Sequence, residues 1–280
     1  MDSLWVAAAF AIFIWWFSTG IILLLDSLPR TTFRWSQLLS SMLAGAALLG
    51  IASTAGQTTL AATYCAFTCA LLVWGWHELA FLTGWITGPQ RTAISEDVQG
   101  WPRFVAAVRA ILWHELAIAA GGLLIWVLTL DAANQIALWT YLVLWLMRIS
   151  AKFNLFLGVR NLSEEFLPPH LAYMASFFRR RRMNVLFPVV VTAATVVAVL
   201  LVERALADGT GAAQAVGLTL VATLLWLAIV EHWLLVLPLQ ATALWRWAMQ
   251  RQDKRSGRDR TAAAEPSALP VAEKPLLRLP

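Results

Sequence analysis

Charge is scarce in this chain. Only 13% of its 280 residues are Asp, Glu, Lys or Arg, against 60% hydrophobic residues, and a soluble domain carries about twice that share of charge. Histidine is rarer still, with four, and cysteine is limited to Cys65 and Cys69. Two cysteines one helical turn apart face the same way and seldom form a disulfide. No CxxC pair or zinc spacing occurs, so both are expected to be packing residues. The Glu-x-x-His spacing of ferritin-like di-metal sites and any HxxxH ladder are also missing. No cleavable signal sequence is evident, because the first apolar run is full-length and follows Asp2 rather than a basic region.

What remains is apolar sequence in lengths of about 20 residues, enough to span a hydrocarbon core of ~30 Å. Such runs fall near 4–25, 36–54, 58–84, 103–130, 134–156, 185–203 and 213–237. The expected fold is all-α, a polytopic membrane bundle of about seven helices over 1–248, with a loop at 157–184 and a disordered tail at 249–280. Bases gather after alternate runs: Arg30 and Arg34, Arg91 and Arg103, Arg160 and Arg179 to Arg182, and the tail. The positive-inside rule then places the amino terminus outside and the carboxyl terminus in the cytoplasm. The formal charge of +5 is accounted for by helix orientation and anionic lipid, and a nucleic-acid partner is not implied.

Against this background one frame stands out, because it occurs twice: WHELAFLTG at 76 to 84 and WHELAIAAG at 113 to 121. Ionisable groups within a bilayer are costly and usually face the bundle interior, a partner or water. At 1.5 Å per residue, His77 and Glu78 on the third helix should lie level with His114 and Glu115 on the fourth. Arg148 and Lys152 on the fifth helix and Glu231 and His232 on the seventh fall in the same half, as do Glu164, Glu165 and His170 of the 157–184 loop. A cytoplasm-facing polar cavity would produce that asymmetry. His and Glu are ligand-type residues for iron, zinc or the magnesium of a chlorophyll, so His77, His114, Glu115, Glu231 and His232 form the candidate metal set. Adjacent residues diverge by ~100° on a helix, so one of each His-Glu pair would serve as an orienting partner. Hydrogen bonding between helices is the plainer role for any single member. Sixteen tryptophans divide into an interfacial belt (Trp15, Trp16, Trp85, Trp101, Trp245) and a deeper set near the histidines (Trp74, Trp76, Trp113, Trp145, Trp226), suited to an aromatic wall.

At WxWHExxFLTGxxTGP (74 to 89), MRISAKFNLFLGVRNLSEEFLPPHLAYMASFFRRRRMN (147 to 184) and HWLLVLPL (232 to 239), the chain resembles the photosynthetic complex assembly protein 2 family, PuhE, of purple photosynthetic bacteria. The resemblance runs from about residue 5 to 248. It implies a multi-pass inner-membrane protein that promotes reaction-centre assembly and bacteriochlorophyll supply, with reaction-centre or light-harvesting subunits and pigment-synthesis enzymes as partners. It carries no active site over. Three readings stand: a non-enzymatic assembly factor, the preferred one, binding bacteriochlorophyll or a magnesium tetrapyrrole precursor through His77 or His114; a metal-dependent, di-iron oxidoreductase of pigment or quinone metabolism; and a membrane scaffold without ligand, in which Arg148, Lys152 and Arg160 merely neutralise glutamates.

Overall fold

The computed structural model describes residues 2–162, 164–239 and Trp245; the expected tail at 249–280 lies outside them. Among the described residues seven helices are long and apolar enough to cross a membrane: α1 (Asp2–Asp26), α2 (Phe33–Thr54), α3 (Leu60–Leu82), α4 (Gly100–Leu128), α5 (Ile136–Leu157), α6 (Leu186–Leu206) and α7 (Ala212–Val236). No strand occurs among the described residues. These bounds match the apolar runs to within a few residues, since in lipid a helix satisfies all its own backbone groups.

Helix α3 is the hub. It packs against α1, α2, α4, α5 and α7, while α6 rests chiefly on α7 at the edge. Lipid offers little hydrophobic drive between helices, so small residues that let backbones approach dominate the contacts. Ala7, Ala11, Ala47, Ala66 and Ala70 are buried in one cluster with Phe67, Ile118 and Leu220. Cys65 and Cys69 do the same work. Their thiols are free, with Sγ atoms 3.8 Å apart, and a Cβ on Gly50 of α2 would lie 2.7 Å from Cys69 Sγ. The outward faces carry Trp5, Phe13, Trp35, Leu49, Trp113 and Trp126, which is where a lipid-facing surface belongs.

The ends of α1, α3, α5 and α7 and the starts of α2, α4 and α6 meet at one loop-rich end. There the loop between α5 and α6 is held by side chains bonded to backbone. Asn161 Nδ2 donates to Leu234 O (2.7 Å) at the end of α7. Asn184 Oδ1 accepts from Leu186 N (2.9 Å) and Phe187 N (3.2 Å), opening α6, while its Nδ2 donates to Asn154 Oδ1 (3.0 Å) and Gly158 O (2.9 Å). Leu171 and Met174 of the 3-10 turn Pro169–Phe177 pack beneath Phe81 and Leu82. The loop is thus a fitted cap on the bundle.

Candidate functional site, a charged cavity among five helices

The doubled frame resolves into two ion pairs. Arg148 and Lys152, one turn apart on α5, share a face and reach different helices. Arg148 Nη2 donates to Glu78 Oε2 on α3 at 3.0 Å, and Lys152 Nζ pairs with Glu115 Oε1 on α4. Trp145 Nε1 approaches Glu115 Oε2 at 3.4 Å, and Lys152 Nζ lies 5.8 Å from the centre of the Phe81 ring. Each copy of WHEL supplies one carboxylate to one base of α5.

The histidines beside them, turned by about one residue's angle, point elsewhere and interlock the two frames. His77 packs against Gly121, the last residue of the other frame, where a Cβ would fall 2.6 Å from Nε2; its ring lies edge-on to Trp76 (4.9 Å) and Tyr141 (6.0 Å). His114 lies over Phe81 of the first frame, ring centres 4.4 Å apart. Both imidazoles are buried and neither makes a hydrogen bond to the described residues. Gly84, the last residue of the first frame, has φ +80 and is covered by His170.

Arg148, Lys152, Glu78, Glu231 and His232 line a cavity of about 400 Å³ whose walls come from α1, α3, α4, α5, α7 and the cap loop. That volume falls in the range of about 300–1,000 Å³ typical of small-molecule sites, and a mainly apolar lining with few polar groups is also typical. Although Arg148 sits in mid-helix among its neighbours, its side chain is 44% exposed; that surface is cavity wall. Glu231 is likewise exposed, faces Arg148 and Glu78 across the space, and has the Trp15 side chain as hydrogen-bond partner. Among the described residues it forms no salt bridge of its own.

Trp15 and Trp245 are not belt residues as their sequence positions suggest. Both line the cavity, edge to face with centres 5.4 Å apart, and Trp245 Nε1 donates to Trp16 O at 3.2 Å. Nothing local in the sequence marks them, because one is near the start of the chain and the other near its end.

His232 also belongs to the wall. Its Nδ1 donates to Ala228 O (2.8 Å), which leaves Nε2 as the lone-pair nitrogen, and Ser150 Oγ donates to it at 2.5 Å. The five candidate metal ligands are not gathered: among the described residues no three His, Cys, Asp or Glu side chains are placed to hold one ion. The α5–α6 loop carries its apolar residues Leu162, Phe166 and Leu167 to the cavity, whereas Glu164 and Glu165 are exposed. Glu164 faces Arg180 at 4.0 Å.

His170 Nε2 donates to Leu82 O at 2.7 Å, closing the end of α3. Burial, offset in part by that bond and reinforced by nearby Arg30, holds its pKa below the ordinary histidine value. A histidine lowered on folding contributes stability that is complete above the unfolded value, about 6.5, and lost as pH falls through the folded one. The thermal midpoint in detergent should therefore drop between pH 7 and pH 5, and His170→Gln should flatten that slope. An unchanged slope in the variant would remove His170 as its source.

Fold and site together define a polytopic membrane protein of seven helices with a charged cavity near one end. The chain belongs to the DUF3623 family, described as a protein of unknown function, whose profile matches residues 1–256. An uncharacterized 30.4 kDa protein in the puhA 5′ region of Rhodobacter capsulatus is 37% identical over 278 residues, covering 98% of this chain and 100% of that relative. No solved structure matches the chain.

Proposed function

We propose that this protein is a membrane accessory factor in building photosynthetic complexes, and that it works by holding a lipophilic ligand in the bundle cavity. The observation that carries the ligand reading is the cavity itself, an apolar chamber of about 400 Å³ with a half-exposed arginine and a carboxylate that has no ion-pair partner among the described residues. A bundle that needed only adhesion would close such a space, since helices in lipid associate through tight packing. The photosynthetic role is supported by the relative's printed place in the puhA 5′ region and by the resemblance to the PuhE family, and the resemblance implies inner-membrane residence and reaction-centre or light-harvesting subunits as partners. The bases of the loop-rich end, Arg30, Arg91, Arg160 and Arg179 to Arg182, support placing that end in the cytoplasm.

A magnesium tetrapyrrole fits the donor set at one residue. His232 is part of the cavity wall, with Nδ1 fixed by a backbone carbonyl, the arrangement that orients an imidazole as a ligand, and with Nε2 held by the Ser150 hydroxyl. Bound there, the macrocycle would supply pigment absorbance; His232 would hold its magnesium once Ser150 gives up its hydrogen bond, and Arg148 would meet polar ring substituents. His77 and His114 suit that role less well, because Gly121 and Phe81 occupy the space beside their rings. The scattered positions of His77, His114, Glu115, Glu231 and His232 lend no geometric support to a di-iron site.

Ala228 lines the cavity from α7, so Ala228→Phe should fill it while leaving the ion pairs in place. In phototrophically grown cells the variant protein should accumulate normally while near-infrared absorbance of mature complexes falls by about fivefold or more, the loss expected when a pocket can no longer admit its ligand. Normal complexes at normal protein level would instead leave the chain a scaffold, with the cavity incidental.

A further inference from the structure

The four consecutive arginines at 179 to 182 are not a loose basic run. Val159 N donates to Arg179 O (3.1 Å) and Arg181 N to Val159 O (3.0 Å), while Arg179 N donates to Leu155 O (3.0 Å), so the segment lies bridged against the end of α5. Gly158, with φ +120, makes room for it, since a Cβ there would sit 2.7 Å from Arg181 Cγ. Extended backbone sends alternate side chains to opposite sides. Arg180 turns toward Glu164, whereas Arg179 and Arg181 line a separate cleft of about 590 Å³.

The floor of that cleft is Arg103, in the first turn of α4. It is 5% exposed, and its guanidinium donates to Phe177 O (2.5 Å) and Phe156 O (3.3 Å) above the Phe156 ring. The far wall is the segment at 94–99, tied to the cap loop by Ile94 N donating to Ser176 Oγ at 3.1 Å. Arg103 and Arg179 are close enough to repel. Among the described residues none of the three arginines pairs with a carboxylate, and Glu96, also on the wall, makes no salt bridge. Fixed like charges without a counter-ion call for an anion, and the planar fork of arginine matches the oxygens of phosphate. Trp101, 72% exposed beside Arg103 at the start of α4, marks the level at which lipid headgroups lie.

We propose that this cleft binds phosphate at headgroup level, with Arg179 and Arg181 as its ligating side chains and Arg103 as its fixed floor. The shared chemistry is a phosphate ester or inorganic phosphate, and the site is independent of the bundle cavity. Because the backbone of Arg179 and Arg181, not their side chains, holds the segment, both can be changed without loosening the cap. Two probes, short-chain phosphatidylglycerol and inorganic phosphate, would be titrated against the full chain in neutral detergent by native mass spectrometry. Phosphatidylglycerol should bind, and Arg179→Gln with Arg181→Gln should weaken it about tenfold. Arg180→Gln with Arg182→Gln, which removes the same charge, should change it by less than about twofold. The same pattern with inorganic phosphate alone would keep the assignment and make a soluble phosphate the source. If the double variant fails to accumulate, Arg181→Gln alone should still show a loss of roughly threefold. Equal losses in both double variants, or binding of neither probe, would overturn the proposal.

Discussion

Gly88→Ala is expected to cost about 3 kcal/mol or more of stability, the upper part of the range for overpacking, and to abolish a cooperative thermal transition in mild detergent. After α3 the chain does not simply turn back. Its 84–90 segment is inserted against the middle of α4, where the His114 N–H is hydrogen-bonded to Thr87 O (2.9 Å) and the Gln90 N–H to Arg109 O (3.3 Å). A Cβ on Gly88 would lie 2.6 Å from Ala110 C and 2.7 Å from Ala110 O, and nearer still to Arg109 O. All three atoms are backbone, so no side chain can swing aside. Relief would require pulling the segment out of α4 and freeing the His114 amide within a low-dielectric bundle, where an unmade hydrogen bond is costly. Gly45→Ala is the control. No atom lies within 4 Å of its Cβ position, and replacing a helical glycine should stabilise by up to about 1 kcal/mol. A Gly88→Ala protein melting with the wild type would show that the inserted segment is not tightly held.

The insertion also gives TGP at 87 to 89 a structural role, which composition alone does not reveal. Helix number and bounds were legible because seven apolar runs separated by polar loops leave little choice in lipid. The shared depth of the two WHEL frames followed from helix rise alone, and Glu78 and Glu115 do meet bases of one helix. What the spacing could not convey is rotation about each helix axis. That rotation sends His77 and His114 into the α3–α4 seam, where Tyr141 of α5 lies edge-on to His77, and sends the glutamates to the bases of α5. His170, expected on the cavity side with the 157–184 loop, lies against Gly84 and donates to Leu82 O, so that it caps the end of α3. Asn161, Asn184 and Arg103 have similar latch roles, and they are invisible to any pattern search because their partners are carbonyls from distant turns. Trp15 and Trp245 reach the cavity from positions 230 residues apart, a contact that only the closed bundle creates.

The remaining large effect separates adhesion from ligand binding at the Arg148–Glu78 pair. Arg148→Met leaves Glu78, 10% exposed at its side chain, without the guanidinium that neutralises it; its second oxygen already lacks a partner. Stranding one member of a buried pair costs about 3–5 kcal/mol. That figure is discounted here toward roughly 2 kcal/mol, because Arg148 is 44% exposed to the cavity and water there screens the charge. Adding Glu78→Gln removes the orphaned charge, so the double variant should melt within about 1 kcal/mol of the wild type. If the pair serves only to join α3 and α5, recovered stability should bring recovered complexes. On the cavity reading it should not, since the double variant keeps the fold but has lost the cation that faces the ligand. Near-infrared absorbance should then stay about tenfold low while the protein level returns to normal. Full recovery of absorbance in the double variant would reduce Arg148 and Glu78 to a structural clasp, and the functional weight would pass to Glu231 and His232 on the opposite wall.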